Sequence, residues 1–264
     1  MALFKRILKD REPPLPRPAS APPVLIPVPA VERRSGQRFP VSPEFPLKAV
    51  LDYIGRDDTG APLGRSKHGW HWKGRLLDCS ESGARIQLGV GLRAVIGESC
   101  ELRLSVQDFA LTVPCHITNI RALPEGAVFG LRHDIADEQT LGDYRQLVEV
   151  MALASTLRLR TRTPKPDESG YLVERYASSR PSRLTVWRHP ADDSVSAFEF
   201  QLKDCLLRAA EEQSLEYFTG DDTGSRPATA VRCHEIHRMF QWVVSNLPEA
   251  VPADVKKFLR RFAA

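Results

Sequence analysis

The chain has 264 residues, enough for one large domain or two smaller ones. Its 42% hydrophobic and 27% charged residues are typical of a protein that is mostly globular. No apolar run approaches the roughly 18 residues that a membrane-spanning helix needs, and Lys5 and Arg6 interrupt the stretch where a secretory signal would be apolar. The five cysteines contain no Cys-x-x-Cys, so we expect reduced thiols in a cytoplasmic protein.

The positive charge is concentrated at the N-terminus. The whole chain has 37 Lys and Arg against 33 Asp and Glu, and residues 1–40 hold eight of the basic and three of the acidic side chains. The remainder is therefore close to neutral, which argues against a general nucleic-acid-binding face on the folded part of the chain. The basic segment could still attract an anion.

Prolines set the N-terminal region apart. Eight of the residues between 13 and 29 are proline, a composition that favours extended polyproline II over helix or sheet. We predict that residues 1–30 are a disordered, semi-rigid tether. A ligand for a proline-reading protein module is the less favoured interpretation.

From about residue 44 the pattern changes to short strands, which are rich in β-branched or alternating apolar residues and are separated by Gly, Pro, Asp and Asn. The predicted strands are Phe45–Tyr53, Trp70–Leu77, Ala84–Leu88, Cys100–Val106, Phe109–Ile120 and Val128–Ile135. Six strands at this spacing predict a small antiparallel barrel, with a polar loop over Arg56–Lys67. Helical spacing of apolar residues then predicts a closing helix near residue 153, so that this domain covers residues 31–153.

A linker and a second module are predicted to follow the barrel. Residues 154–170 are charged and contain two prolines, which favours a linker. Residues 171–264 are predicted to form a small α+β domain with helices over Val231–Leu247 and after Pro252. The predicted fold class is thus mainly β with some α: a six-stranded antiparallel barrel with a C-terminal helix, then a small α+β module.

Two short motifs carry the candidate chemistry. Arg34 and Arg38 form Arg-x-x-x-Arg just before the first predicted strand, and Asp78, Ser80 and Gly83 form Asp-x-Ser-x-x-Gly between the second and third strands. An arginine can bind phosphate or the edge of guanine with its planar fork of donors. A carboxylate can accept from guanine N1–H and N2–H, which adenine lacks, and glycine allows close approach of a ligand. Together these groups suit a guanine nucleotide and include no catalytic machinery.

With these motifs in this order, residues 31–153 resemble the PilZ domain family, including the run from Phe129 to Asp134 and the helix after it. The resemblance implies a six-stranded barrel that binds the bacterial second messenger cyclic di-GMP. It implies that Arg34 and Arg38 clamp the guanine and phosphate edges. It further implies that Asp78 and Ser80 contact a guanine and that Gly83 keeps the turn open. The chain departs from the family in the long spacing between Arg38 and Asp78, with the excess falling in the polar hairpin 56–69.

Each motif also has a simpler interpretation. Arg-x-x-x-Arg can be a solvated charge cluster, and Asp-x-Ser-x-x-Gly can be an ordinary hairpin turn. We favour binding because the two occur together and in order. Arg132 and His133 on the last strand could reach a phosphate if they face the site. Cys233 and His237 could share one face of a helix, but two ligands do not make a zinc site, so we expect no metal.

The leading hypothesis is a bacterial cytoplasmic receptor for cyclic di-GMP that changes the arrangement of its domains or of a protein partner when the ligand binds. We expect no catalytic residue and no cofactor other than this ligand. One alternative is a protein-interaction scaffold that works without nucleotide, through the 56–69 hairpin or the C-terminal region. Another, less favoured because no catalytic set is found there, is an enzyme within residues 171–264.

Overall fold

The structure is a computed structural model that describes residues 36–54, 68–90, 94–221 and 224–263. The predicted tether over residues 1–30, Arg34 and nearly all of the predicted polar hairpin lie outside the described residues. In the described part the chain folds into a closed β-barrel, a second β-sheet and three helices.

The barrel is built from six antiparallel strands, with one short extra strand at its edge. The strands are β1 Phe39–Pro40, β2 Lys48–Ile54, β3 His68–Ser80, β4 Gly83–Leu88, β5 Ser99–Val106, β6 Phe109–Leu123 and β7 Gly126–His133. The order β3-β2-β5-β6-β7-β4 closes because β4 pairs back onto β3, and β1 pairs with Asp78 and Cys79 of β3, beyond the residues of β3 that pair with β2. Closure removes the exposed edges that an open sheet would leave, and it confirms the predicted six-stranded barrel.

Alternation of apolar and polar residues explains why these segments form a barrel. Along β5 every second side chain is buried, including Leu102 and Leu104. The partners of Leu102 across the sheet, Leu51 on β2 and Val113 on β6, are also fully buried. Successive side chains of a strand point to opposite faces, so period-two sequences place one apolar row inside the barrel.

Helix α1, Glu138–Ser155, closes one end of the barrel. It begins at Asp137, whose side chain accepts a hydrogen bond of 2.7 Å from the Thr140 backbone N–H and so caps the helix. Its buried stripe includes Tyr144, Leu147 and Met151, which join the barrel core. The helix therefore packs against the strand ends at this end of the barrel.

The second sheet is a seven-stranded antiparallel meander, ordered β8 to β14 as along the chain. Its strands are β8 Arg158–Arg162, β9 Leu172–Ala177, β10 Ser182–Arg188, β11 Val195–Leu202, β12 Cys205–Ala210, β13 Glu216–Asp221 and β14 Gly224–Pro227. Sequence patterns predict only three of them, over Leu184–Arg188, Phe198–Leu202 and Leu215–Thr219, and the predicted linker over residues 154–170 contains β8. All five residues of β8 are exposed, so an edge strand tolerates the charges that suggested a linker.

Two helices cover one face of this sheet: α2, Ala230–Ser245, and α3, Ala253–Phe262. The ring of Phe198 on the sheet stacks on Phe240 of α2 at 5.7 Å and meets Phe258 of α3 edge-on at 6.2 Å. One continuous cluster of buried residues joins the barrel, α1, the second sheet and both helices. The barrel and the second sheet are therefore packed together in this structure.

Candidate functional site

The turn between β3 and β4 forms a rigid corner. Ser80 and Gly83 face each other across it, and the buried Ser80 hydroxyl donates to the Gly83 carbonyl over 3.2 Å. The Tyr144 hydroxyl of α1 donates to the Ser80 carbonyl over 3.1 Å. Helix α1 thus contacts the predicted Asp-x-Ser-x-x-Gly motif through this hydrogen bond.

Gly83 is required by the close packing of two strands. A Cβ atom built on Gly83 would lie 2.2 Å from the backbone oxygen of Leu131 on β7. The neighbour is main chain in a paired strand and cannot turn aside as a flexible side chain could. The absence of a side chain therefore lets β4 and β7 pair closely at the corner.

Asp78 is the acidic centre of the site. It is buried, with 4% of its surface exposed, and its Oδ1 accepts a hydrogen bond of 2.8 Å from Arg38 Nη1. Its Oδ2 accepts a second, of 2.5 Å, from Arg85 Nε. The guanidinium groups of Arg38 and Arg85 remain one third and one half exposed, so they form the solvent side of the cluster. The same hydrogen bond to Asp78 raises the pKa of Arg85.

Strand β1 brings Arg38 to the corner. Phe39 pairs with Cys79 and Pro40 pairs with Asp78, so the segment that leaves the N-terminal region runs along β3. A Cβ atom on Gly36 would lie 3.9 Å from the Ser82 hydroxyl, so Gly36 lies next to the same turn. The predicted site residues Arg38, Asp78, Ser80 and Gly83 are therefore neighbours, while the placement of Arg34 lies outside the described residues.

The two further candidates on β7 have different environments. Arg132 lies directly across from Gly83 and is exposed. His133 packs its ring edge-to-face on Tyr144 at 4.2 Å, and burial, with a smaller contribution from the Arg38 charge, lowers its pKa to about 4. Arg132 can thus face an anion at the corner, whereas His133 is neutral at pH 7 and points into the packed end of the barrel.

The C-terminal helices and the second sheet hold the chain directly after Arg38. The buried Asn246 side chain accepts from the Ser42 N–H over 2.6 Å and donates to the Pro40 carbonyl over 3.3 Å. Arg180, in the β9–β10 hairpin, lies over the Phe39 ring at 5.7 Å. Its guanidinium also pairs with Glu81, inside the turn motif, at 3.9 Å.

Sequence reasoning missed Arg85 and Asn246. Arg85 stands two residues after Gly83, on the outward side of an alternating strand, and this position is the one signal that could have identified it. Asn246 contacts residues more than 200 positions away in sequence, for which no local pattern exists.

The other sequence candidates have ordinary structural roles. The Tyr217 hydroxyl and His237 Nδ1 lie 2.8 Å apart, and the Cys233 thiol donates to the Ala228 carbonyl over 3.6 Å. Throughout the described ranges, no three His, Cys, Asp or Glu side chains are grouped so that they could hold a metal ion. None of the described helices has both the length and the apolar character needed to span a membrane.

Comparison with known protein families gives a match over the barrel region. A family model described as the PilZ domain matches residues 32–150. Among solved structures, the PilZ domain with c-di-GMP of YcgR from Escherichia coli matches with 11% sequence identity and a TM-score of 0.34, over 44% of this chain and 89% of that chain. No curated protein matches the chain.

Proposed function

We propose that this chain, in which residues 32–150 form a PilZ domain, is a receptor for cyclic di-GMP. The observation that carries the proposal is the meeting of Arg38, Asp78, Ser80 and Gly83 at one corner. The ligand has two phosphodiester groups and two guanines. The corner offers guanidinium donors for the phosphates and a carboxylate acceptor for a guanine.

Binding requires the cluster to rearrange. The carboxylate of Asp78 has about four acceptor sites, and three nitrogens of Arg38 and Arg85 already contact it. A guanine that donates with both N1–H and N2–H must therefore displace at least one arginine contact. We propose that Arg38 leaves Asp78 and donates to the ligand, while Asp78 accepts from guanine N1–H and N2–H. Ser80 and Gly83 keep the β3–β4 turn in place. No bond is made or broken, so the site binds without catalysis.

The response to the ligand is proposed to pass through residues 38–47. Arg38 begins this segment, and Asn246 holds it by the backbone at Pro40 and Ser42. Further along, Glu44 pairs with Arg260 of α3. When Arg38 moves to the ligand, the anchoring of the segment on the C-terminal helices changes. A ligand can shift such an arrangement only by binding its two states with different affinity. We place this receptor in the bacterial cytoplasm, where the change would be read by a protein partner.

Isothermal titration of the full chain, at tens of micromolar, tests binding. We expect a saturable heat with cyclic di-GMP and none with cyclic di-AMP, because adenine lacks the donors that Asp78 accepts. Arg38→Ala should weaken binding at least about tenfold, the size expected for a lost charge-assisted hydrogen bond. The matched control is Arg75→Ala, which removes an exposed arginine that pairs with Gln87 along the same sheet. Absence of heat with cyclic di-GMP would refute the receptor assignment.

Small-angle scattering of the same protein tests the rearrangement. We expect the scattering curve of the wild-type chain to change when cyclic di-GMP saturates it. At a ligand concentration that leaves Arg38→Ala unbound, the curve of this variant should be the same with and without cyclic di-GMP. Superimposable curves for the free and saturated wild-type protein would contradict the proposed change of arrangement while leaving the binding proposal intact. A protein complex that forms equally with and without nucleotide would instead favour the scaffold hypothesis.

A further inference from the structure

Arg85 belongs to neither sequence motif, but it contacts Asp78 at the β3–β4 corner. It lies directly across from Asp78 in the β3–β4 pairing, and it shares the outward face of β4 with Gly83. Both its Nε and its Nη2 contact Oδ2 of Asp78. Arg85 is thus as close to the acidic centre of the site as Arg38 is, but it comes from the opposite side.

The burial of Asp78 shows what these two contacts do. Only 5% of its side chain is exposed, whereas 33% of Arg38 and 50% of Arg85 is exposed. A ligand therefore reaches the Asp78 carboxylate only from the side that Arg38 and Arg85 cover. A guanine that pairs with Asp78 needs Oδ2 as well as Oδ1, and Arg85 holds Oδ2 with two nitrogens.

We propose that Arg85 is the third arginine of the ligand site, and this inference rests on the proposed function. In the free protein Arg85 occupies the place on Asp78 that a guanine takes in the complex. When the ligand binds, Arg85 turns outward and donates to a phosphate oxygen. Asp78 exchanges a guanidinium for guanine N–H donors, and Arg85 exchanges a carboxylate for a phosphate, so no charged group is left without a partner.

The direction of this exchange follows from the exposure and the chemistry of the partners. Because half of the Arg85 side chain is exposed, water can solvate the guanidinium as it leaves Asp78, and its departure opposes binding less than that of a fully buried arginine would. A phosphate oxygen accepts the same planar fork with similar geometry, and arginine is suited to such bidentate contacts. Arg132, exposed across the strand pair from Gly83, adds positive charge on the same side of the corner. The phosphates thus meet positive charge from both Arg85 and Arg132 at the corner.

Titration of Arg85→Gln with cyclic di-GMP, at low and at raised salt, tests the inference against Arg75→Gln as a charge-matched control. We expect Arg85→Gln to bind at least about tenfold more weakly than wild type and with a shallower salt dependence, since one phosphate contact is lost. Arg75→Gln should bind as wild type does. Arg85→Gln that binds equally well or more tightly would overturn the inference, because Arg85 would then only compete for Asp78.

Two further measurements keep the result interpretable. Arg85→Lys retains the charge but not the fork, and it should bind with an affinity between those of wild type and Arg85→Gln; wild-type affinity in Arg85→Lys would contradict the bidentate contact. If Arg85→Gln does not fold, as judged by its circular dichroism, Arg85→Lys alone decides. A wild-type chain that binds no cyclic di-GMP would refute the proposed function itself, an outcome distinct from a normal Arg85 variant.

Discussion

Substitution of Asn246 by alanine tests how firmly the C-terminal helices hold the segment after Arg38. The side chain is 2% exposed, and it satisfies the Ser42 N–H and the Pro40 carbonyl at 2.6 and 3.3 Å. Alanine leaves both backbone groups without this partner in a packed interface. Pro40 is exposed and Ser42 is half-buried, so water can partly replace the lost partner, and we expect a loss of about 1–3 kcal/mol in the free energy of unfolding.

Denaturant unfolding of the full chain measures this loss. Because one continuous core joins the barrel and the second sheet, we expect a single transition whose midpoint falls in Asn246→Ala. The control is Gln107→Ala, at the same interface, where an exposed amide donates to Gln241 over 3.4 Å and should contribute about 0.5 kcal/mol or less. If Asn246→Ala unfolds at the wild-type midpoint, the amide does not anchor the segment and the proposed route of the response loses its support.

The remaining predictions concern the corner and its histidine. Gly83→Ala should destabilise the chain by about 1–3 kcal/mol and weaken ligand binding, because its Cβ would lie 2.2 Å from the Leu131 oxygen. Thermal unfolding and titration measure these two effects. Wild-type values in both would contradict the close packing of β4 and β7. His133 has a pKa of about 4 when folded and near 6.5 when unfolded, so the unfolded state binds the proton first as pH falls, and stability is lost from about pH 6.5 towards 4. Between pH 7 and pH 5 this group costs the wild-type chain about 2 kcal/mol of unfolding free energy. His133→Gln lacks the group, so its unfolding free energy should fall by about 2 kcal/mol less over the same interval. Equal slopes of unfolding free energy against pH for the two proteins would exclude this role of His133.

The sequence by itself determined the barrel and the candidate corner. Period-two alternation of apolar residues is a local property of each strand, so segments such as Cys100–Val106 were predicted to within one residue of the observed β5. The resemblance carried by the two motifs also implied that Arg38 and Asp78 belong to one ligand site, and in the structure their side chains are hydrogen-bonded. The predicted fold class is confirmed, and the predicted resemblance to the PilZ domain is confirmed by the family model that matches residues 32–150.

Only the tertiary structure decided what surrounds that corner. The contact of Arg85 with Asp78 depends on the register of β3 against β4, where a bulge between Leu76 and Asp78 shifts the pairing and cannot be read from either strand alone. Similarly, β8 is a charged, exposed segment that becomes a strand because β9 offers it a pairing edge. Asn246 reaches Pro40 and Ser42 only because the whole chain between them has folded. Local periodicity is carried by neighbouring residues, but contacts between distant ones are set by the packing of complete elements.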